Sequence, residues 1–470
     1  MSPNLNVNYK SSSMKKWLTK LEQILLFALP VVIFFAYFPV IKLGSDSTMN
    51  FELSLPLIWL AIFGVISLFR LPAIYRKIGR KRLFLLFAFP IYLLLSVFWS
   101  ANPVRGILTA GIFWLICLSA ANLFTQNLSK TALKQLLKIY LISSVAVATF
   151  CLIQCILDVS GVARDYTLLC AGCTYRTFGF THPNGFAIEP QFMGNLLIAP
   201  CIIAILVFYQ NIKDKKGKCK ICKSLLLSFY LIMVLYVIFS RGALYAFGIA
   251  MVIVTIYNIV KERSARALLL PAVILVAFGA GLLFQGILAE LSPTTEGFAD
   301  GIARSVNQIS LGKIDFRAKT STDINTSSAS NSSTFNGYVE ESTDTRLNLN
   351  DYALQTWSQS PKTIVFGVGL GGAGVAMHER TLAIDAKEIV QNEYLSILLE
   401  LGLVGIFALL VSLNSLLWRD FKERQFGLAF SAICLAYLLT FGFFAGLPNV
   451  LHIYLFTPVL YLLNRKKLIW

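Results

Sequence analysis

Apolar runs of nearly span length recur from one end of this chain to the other, and that feature decides its class. Wound as a helix at roughly 1.5 Å per residue, such a run crosses a hydrocarbon core of about 30 Å. Hydrocarbon offers no partner to a free N–H or C=O, so each run must satisfy its backbone internally, as a helix. Segments 21–43, 53–69, 83–99, 106–124, 137–157, 186–208, 225–239, 243–260, 267–289, 394–417, 427–445 and 449–463 all qualify as spans. The expected fold is therefore all-α, a polytopic transmembrane helical bundle of about twelve spans. Its expected layout is an N-terminal tail at 1–20, nine spans within 21–289, a large loop at 290–393, three spans within 394–463 and a tail at 464–470.

The chain carries a net charge of +17, which raises the question of nucleic acid. Placement answers it. The basic residues concentrate at Lys10–Lys20, Arg70–Arg82, Lys130–Lys138, Lys213–Lys223, Lys261–Arg266, Arg419–Arg424 and Arg465–Lys467, which are alternate loops. That is the positive-inside pattern; it orients both termini to the cytoplasm and the 290–393 loop outward. Contact with anionic lipid heads fits the same residues, and no nucleic-acid motif accompanies them. The first span is too long for a signal h-region and lacks a small-residue cleavage site, so it reads as a retained helix. Two C-x-x-C pairs, Cys170/Cys173 and Cys219/Cys222, fall on opposite membrane faces in this topology and cannot share one tetrahedral zinc. The outward pair could close a local disulfide in an oxidising compartment, whereas the inward pair reads as free thiols.

Two outward segments, 158–185 and 290–393, are large enough to build a site. Residues 318–335 are rich in Ser, Thr and Asn and read as disordered. From Arg346 the spacing of Leu349, Tyr352, Ala353 and Thr356 predicts an amphipathic helix that stops before Pro361. No tandem or inverted repeat is visible.

The run FGVGLGGAG contains a formal G-x-G-x-x-G across Gly367, Gly369 and Gly372. A dinucleotide site needs that fingerprint between a strand and a helix of a βαβ unit, which is missing, and no Walker lysine follows. The run then serves as a sharp turn or as a backbone cradle for an anion. His378-Glu379 fails H-E-x-x-H because Leu382 holds the fifth position, and no D-x-D or G-x-S-x-G occurs. Ionisable residues near helix ends remain: Arg176, Arg241 and Glu189. Charge at such depth is costly unless it is paired or functional, so they are site candidates, with an Arg–Glu register pair as the alternative. On the tenth span Asn392, Ser396 and Glu400 recur at i, i+4, i+8 and form one polar stripe.

The ordered pieces VFWSANPVRGI (97–107), YRTFGFTHPNGFA (175–187), FSRGALYAF (239–247), RLNLNDYALQTW (346–357), FGVGLGGAG and QNEYLSILLELGLVGI (391–406) together resemble the bacterial O-antigen ligase and O-antigen polymerase superfamily. The resemblance implies a glycosyltransferase in the bacterial cytoplasmic membrane with its site facing outward. It would move a glycan from undecaprenyl pyrophosphate to an acceptor sugar hydroxyl, with no nucleotide sugar, metal or other cofactor. Arg176, Arg241 and Arg346, with backbone at Gly369 and Gly371, would hold the departing pyrophosphate, since guanidinium forks bind phosphate bidentately. Ligases of this superfamily carry a histidine where this chain has Gln391, and glutamine can orient a hydroxyl but cannot take its proton. His378 or His182 could substitute, Glu189 or Glu400 could be the base, or the branch could work without a strong one; Glu189 is favoured, beside the arginines in sequence. Gln391 would then position the acceptor hydroxyl, and Asn392 stands beside it as a candidate catalytic residue. The lost histidine leans the resemblance toward a polymerase of O-antigen, capsule or exopolysaccharide, working with a chain-length regulator. Attachment to lipid A core and protein O-glycosylation are the related options. A flippase would instead show broken helices near the midplane and repeat symmetry.

Overall fold

The computed structural model describes residues 11–469 except 39–40, 44–50, 161–175, 178–179, 264, 293–296, 311–313, 315–334, 383, 423–425 and 444–445. Helices α1 (Ser11–Val32), α2 (Leu55–Phe69), α3 (Leu71–Ile78), α4 (Arg80–Leu86), α5 (Ala88–Ser96), α6 (Pro103–Thr125) and α7 (Lys130–Val159) form the first part. The second comprises α8 (Pro190–Lys213), α9 (Lys218–Ile238), α10 (Arg241–Glu262) and α11 (Leu269–Leu291). Four shorter or polar helices follow: α12 (Phe298–Ile309), α13 (Phe335–Trp357), α14 (Pro361–Phe366) and α15 (Ala373–Arg380). The last are α16 (Glu393–Lys422), α17 (Leu428–Phe441) and α18 (Leu447–Arg465). Short antiparallel pairs, β1 (Ile41–Leu43) with β2 (Phe51–Leu53) and β3 (Arg176–Thr177) with β4 (Phe180–Thr181), are connectors.

Among the described residues eight helices are long and apolar enough to cross a membrane, nine if α2 and α3, bent by 71° at their junction, count as one. With this composition the chain is an integral membrane protein built as a helical bundle. The expectation of about twelve spans exceeds that count. Spans expected at 21–43, 427–445 and 449–463 coincide with α1, α17 and α18, and α17 has only 14 residues. Expected disorder at 318–335 and the Cys170/Cys173 pair lie outside the described residues, apart from Phe335 in α13. Cys219 and Cys222 are free and exposed at the start of α9.

Almost every residue of α8 is buried, so this helix, apolar all round, is the centre of the bundle. Its Leu197, Cys201 and Ile205 belong to one continuous core with Leu231 and Leu235 of α9, Phe247 and Ala250 of α10 and Ile433 and Ala436 of α17. One buried charge in this part is paired. Glu22 on α1 meets Arg70 at 3.0 Å and accepts hydrogen bonds from Asn122 (2.7 Å) and Gln126 (2.9 Å), tying α1, α2 and α6.

The predicted helix at 346–357 is the last part of α13. Leu349, Ala353 and Thr356 are buried, and the first two pack on Met377 of α15 and Leu399 of α16. Pro361 stops α13 by opening α14: it follows the cap Ser360, whose hydroxyl accepts the Thr363 N–H at 3.1 Å.

Helix α16 is broken at Gly402, where φ is 62° and ψ −166°. The glycine run fills the break. Val368 N–H donates to Leu399 O and Gly369 N–H to Glu400 O, both at 2.9 Å. The Tyr92 hydroxyl is a donor shared between Leu401 O (2.9 Å) and Phe366 O (3.1 Å). A side chain at Gly402 would need a left-handed backbone and would put Cβ 2.5 Å from the Val365 carbonyl carbon. Gly402→Ala is therefore expected to destabilise the fold by about 1–3 kcal/mol. A lower melting temperature of the detergent-solubilised protein checks this; an unchanged one contradicts the break.

Candidate active site

A cavity of about 590 Å³ opens where the starts of α6, α8, α15 and α16 approach one another. Its polar lining includes Arg105, Glu189, Lys387, Glu388, Gln391, Glu393, Ser396 and Glu400, and its apolar lining includes Phe89, Leu93, Ile112, Phe113 and Phe192. These residues come from segments separated by up to about three hundred positions in the chain, yet Glu189, Gln391, Ser396 and Glu400 are all named from the sequence.

Each wall has a local cause. Helix α6 opens with Asn102 as cap and Pro103 at its first position, and the Asn102 side chain accepts the Arg105 N–H at 3.2 Å. That start carries Arg105 to the glycine run, where Ser100 Oγ donates to Leu370 O at 2.7 Å. Gly371, at φ 80°, approaches Arg105 and Gly106 so closely that a Cβ would lie 2.9 Å from the Gly106 nitrogen. Helix α8 opens at Pro190 with Glu189 at its cap position.

Carboxylates on α16 are met by the starts of other helices. Glu400 faces Arg105 and the N–H groups of Gly371 and Ala373 at the start of α15. Glu393, buried at 7% exposure, accepts the Gly446 N–H at 3.0 Å from the start of α18. Helix N-termini carry partial positive charge, which compensates acids in an apolar bundle. The glycine run thus spends its N–H groups on the protein: Gly369 on Glu400 O, Gly371 on the Glu400 carboxylate. The expectation that Gly369 and Gly371 offer open N–H groups to an anion is corrected: they lock the run to α16, although Gly371 still borders the cavity.

The stripe on α16 also differs by one residue from expectation. The Asn392 side chain caps the helix, accepting N–H bonds from Tyr394 (3.0 Å) and Leu395 (3.2 Å), and Asn392 is not among the lining residues. Glu393, Ser396, Ile397, Glu400 and Leu401 form the cavity face, spaced i, i+3, i+4, i+7, i+8.

Glu189 is joined to an arginine by a relay. Gln191 Nε2 donates to Glu189 Oε2, and Gln191 Oε1 accepts from Arg346 at 3.0 Å. Glu189 keeps contact with water but sits in dense surroundings. That desolvation raises its carboxyl above the ordinary 4.5, opposed by the Arg346 charge and the Gln191 bond.

The remaining candidates lie elsewhere. Arg241 begins α10 beside His182 and Tyr245. His182 is buried edge-on to Phe239, 5.8 Å between rings, and desolvation pushes it down to about 4, so it stays neutral beside that arginine. His378 Nδ1 bonds the Ile384 carbonyl at 2.5 Å. Neither histidine is among the lining residues. Arg176 lies in β3. No group of three or more potential metal ligands occurs among the described residues.

Arg105, Lys387 and Glu393 escaped the sequence reading. Arg105 had a signal: an Asn-Pro helix start followed by an arginine within 97–107.

Residues 226–410 match the family model described as O-antigen ligase. The match takes in most of α9, α10 to α15 and the cavity face of α16, and it supports the resemblance to the O-antigen ligase and polymerase superfamily that the motifs implied. Arg105 and Glu189 fall outside it. No curated protein and no solved structure gives a significant match.

Asn392→Ala is expected to cost about 1 kcal/mol of stability and Asn392→Ser much less, because serine also caps. Melting temperatures of both purified variants check this; equal loss in both would contradict the capping role.

Proposed function

We propose that the chain is a glycosyltransferase that moves a glycan from undecaprenyl pyrophosphate to an acceptor hydroxyl at the outer face of a bacterial cytoplasmic membrane. The polymerase reading, which joins lipid-linked repeats of O-antigen, capsule or exopolysaccharide, is preferred. One observation carries it: Glu189, Gln391, Arg105 and Glu400 border a single cavity lined by both apolar and charged side chains, in a chain whose residues 226–410 match the O-antigen ligase family. A lipid-linked pyrophosphate combines the same two chemistries.

Chemically, the acceptor oxygen attacks the anomeric carbon, the bond to the pyrophosphate oxygen breaks, and the acceptor's proton leaves to a base. Glu189 takes that proton, its raised carboxyl suiting the role. Gln391 orients the hydroxyl, and Glu400 keeps Gly371 and Ala373 in position. Arg105 and Lys387 at the cavity, with Arg346 behind Glu189, stabilise negative charge on the leaving pyrophosphate. Arg176 and Arg241 remain proposed contacts for the same donor. Because the matching family is described as O-antigen ligase, ligation to lipid A core is the second reading.

The test is glycan assembly in membranes supplied with lipid-linked repeats. Glu189→Gln is expected to lower transfer by about 100-fold or more; full activity would remove Glu189 from the base role. The pH profile adds a sign check. Catalysis needs ionised Glu189, so the rate rises with pH through its raised pKa, and the acid limb lies above 4.5. Arg346→Gln removes an influence that lowers this pKa and should move the limb to higher pH; an unmoved limb would assign it to another group.

A further inference from the structure

The start of α16 brings three hydrogen-bonding side chains, Gln391, Glu393 and Ser396, to the cavity. Glu393 has no part in the transfer chemistry above. Its Oε2 accepts the Gly446 N–H at 3.0 Å, and that bond fixes the carboxylate's orientation. Only one of its two carboxyl oxygens meets a backbone N–H, so the other remains available to a ligand. At 7% exposure the group borders the cavity but touches little bulk water. A hydrogen bond from a ligand to such a group is therefore worth more than one at the surface.

The lining restricts what could use these sites. Four carboxylates, Glu189, Glu388, Glu393 and Glu400, face two cations, Arg105 and Lys387, so a second anion beside the pyrophosphate would be disfavoured. A neutral ligand rich in O–H donors fits Glu393, Gln391 and Ser396. Phe89, Phe113 and Phe192 line the same space and suit the apolar face of a sugar ring.

We infer that Glu393 is the sugar-binding residue of this cavity: its carboxylate accepts hydrogen bonds from ring hydroxyls of an uncharged acceptor pyranose, with Gln391 and Ser396 beside it. The inference rests on the proposed transfer reaction and adds the acceptor's subsite and chemical class to it. Glu393 holds the sugar whose neighbouring hydroxyl reacts, and the proton of that hydroxyl goes to Glu189.

The test uses the full-length protein in membranes, lipid-linked repeat as donor at fixed concentration, and a soluble glycan of the same repeating unit as varied acceptor. Glu393→Gln keeps an oxygen for the Gly446 N–H and so preserves the fold contact, but loses the charge and one acceptor oxygen. It is expected to raise the acceptor KM about tenfold and leave kcat within about twofold, the loss of a charged hydrogen bond. Glu393→Asp should recover part of the affinity. An unchanged acceptor KM in Glu393→Gln, or a fall in kcat alone, overturns the inference while leaving the transfer reaction standing. No transfer by the wild-type membranes would instead overturn both.

Discussion

The site depends on a helix that stops being a helix. At Gly402 the backbone of α16 leaves helical geometry and frees carbonyls in a bundle where each unsatisfied polar group costs several kcal/mol. The glycine run and the Tyr92 hydroxyl satisfy them: Val368 and Gly369 N–H meet Leu399 O and Glu400 O, and Tyr92 meets Leu401 O. Because the run must lie on α16 to do so, the start of α15 comes to the Glu400 carboxylate. The start of α6, bonded to Leu370 through Ser100, follows and brings Arg105. One backbone defect thereby collects three otherwise distant chain segments around one space.

The acids in that space survive by the same logic. Glu400 and Glu393 each face the positive end of another helix, and Glu189 is steadied by Gln191 and Arg346. Compensation by helix starts costs no extra side chain. It also leaves the carboxylates with acceptor capacity toward the cavity, so the features that make the charges tolerable keep them chemically useful.

The helical class was legible because a span is a statement about length and apolarity, both written locally in the sequence. So was the inner face of α13, where Leu349 and Ala353 obey helical spacing. The count was less so: α17 is apolar but short, and α2 with α3 bends by 71° at Leu71-Pro72. The site was half legible. Glu189 could be named from charge at depth, Glu400 from its polar stripe and Gln391 from the family resemblance, but Arg105 owes its position to the contact of the α6 start with Leu370, which no local pattern encodes. Glu393 holds the cavity position expected for Asn392 because a helix start is uncertain by a residue or two, and one residue turns a helix by about 100°. An asparagine at the cap faces its own backbone, and the next residue inherits the cavity.

The central claim is that the cavity between α6, α8, α15 and α16 is where a lipid-linked glycan reacts. A structure of the protein in a lipid nanodisc with a bound, non-reacting lipid-linked repeat tests it most directly. The account predicts diphosphate density beside Arg105, with the first sugar between Glu189 and Gln391. Donor density elsewhere in the bundle, with this cavity empty, would contradict it.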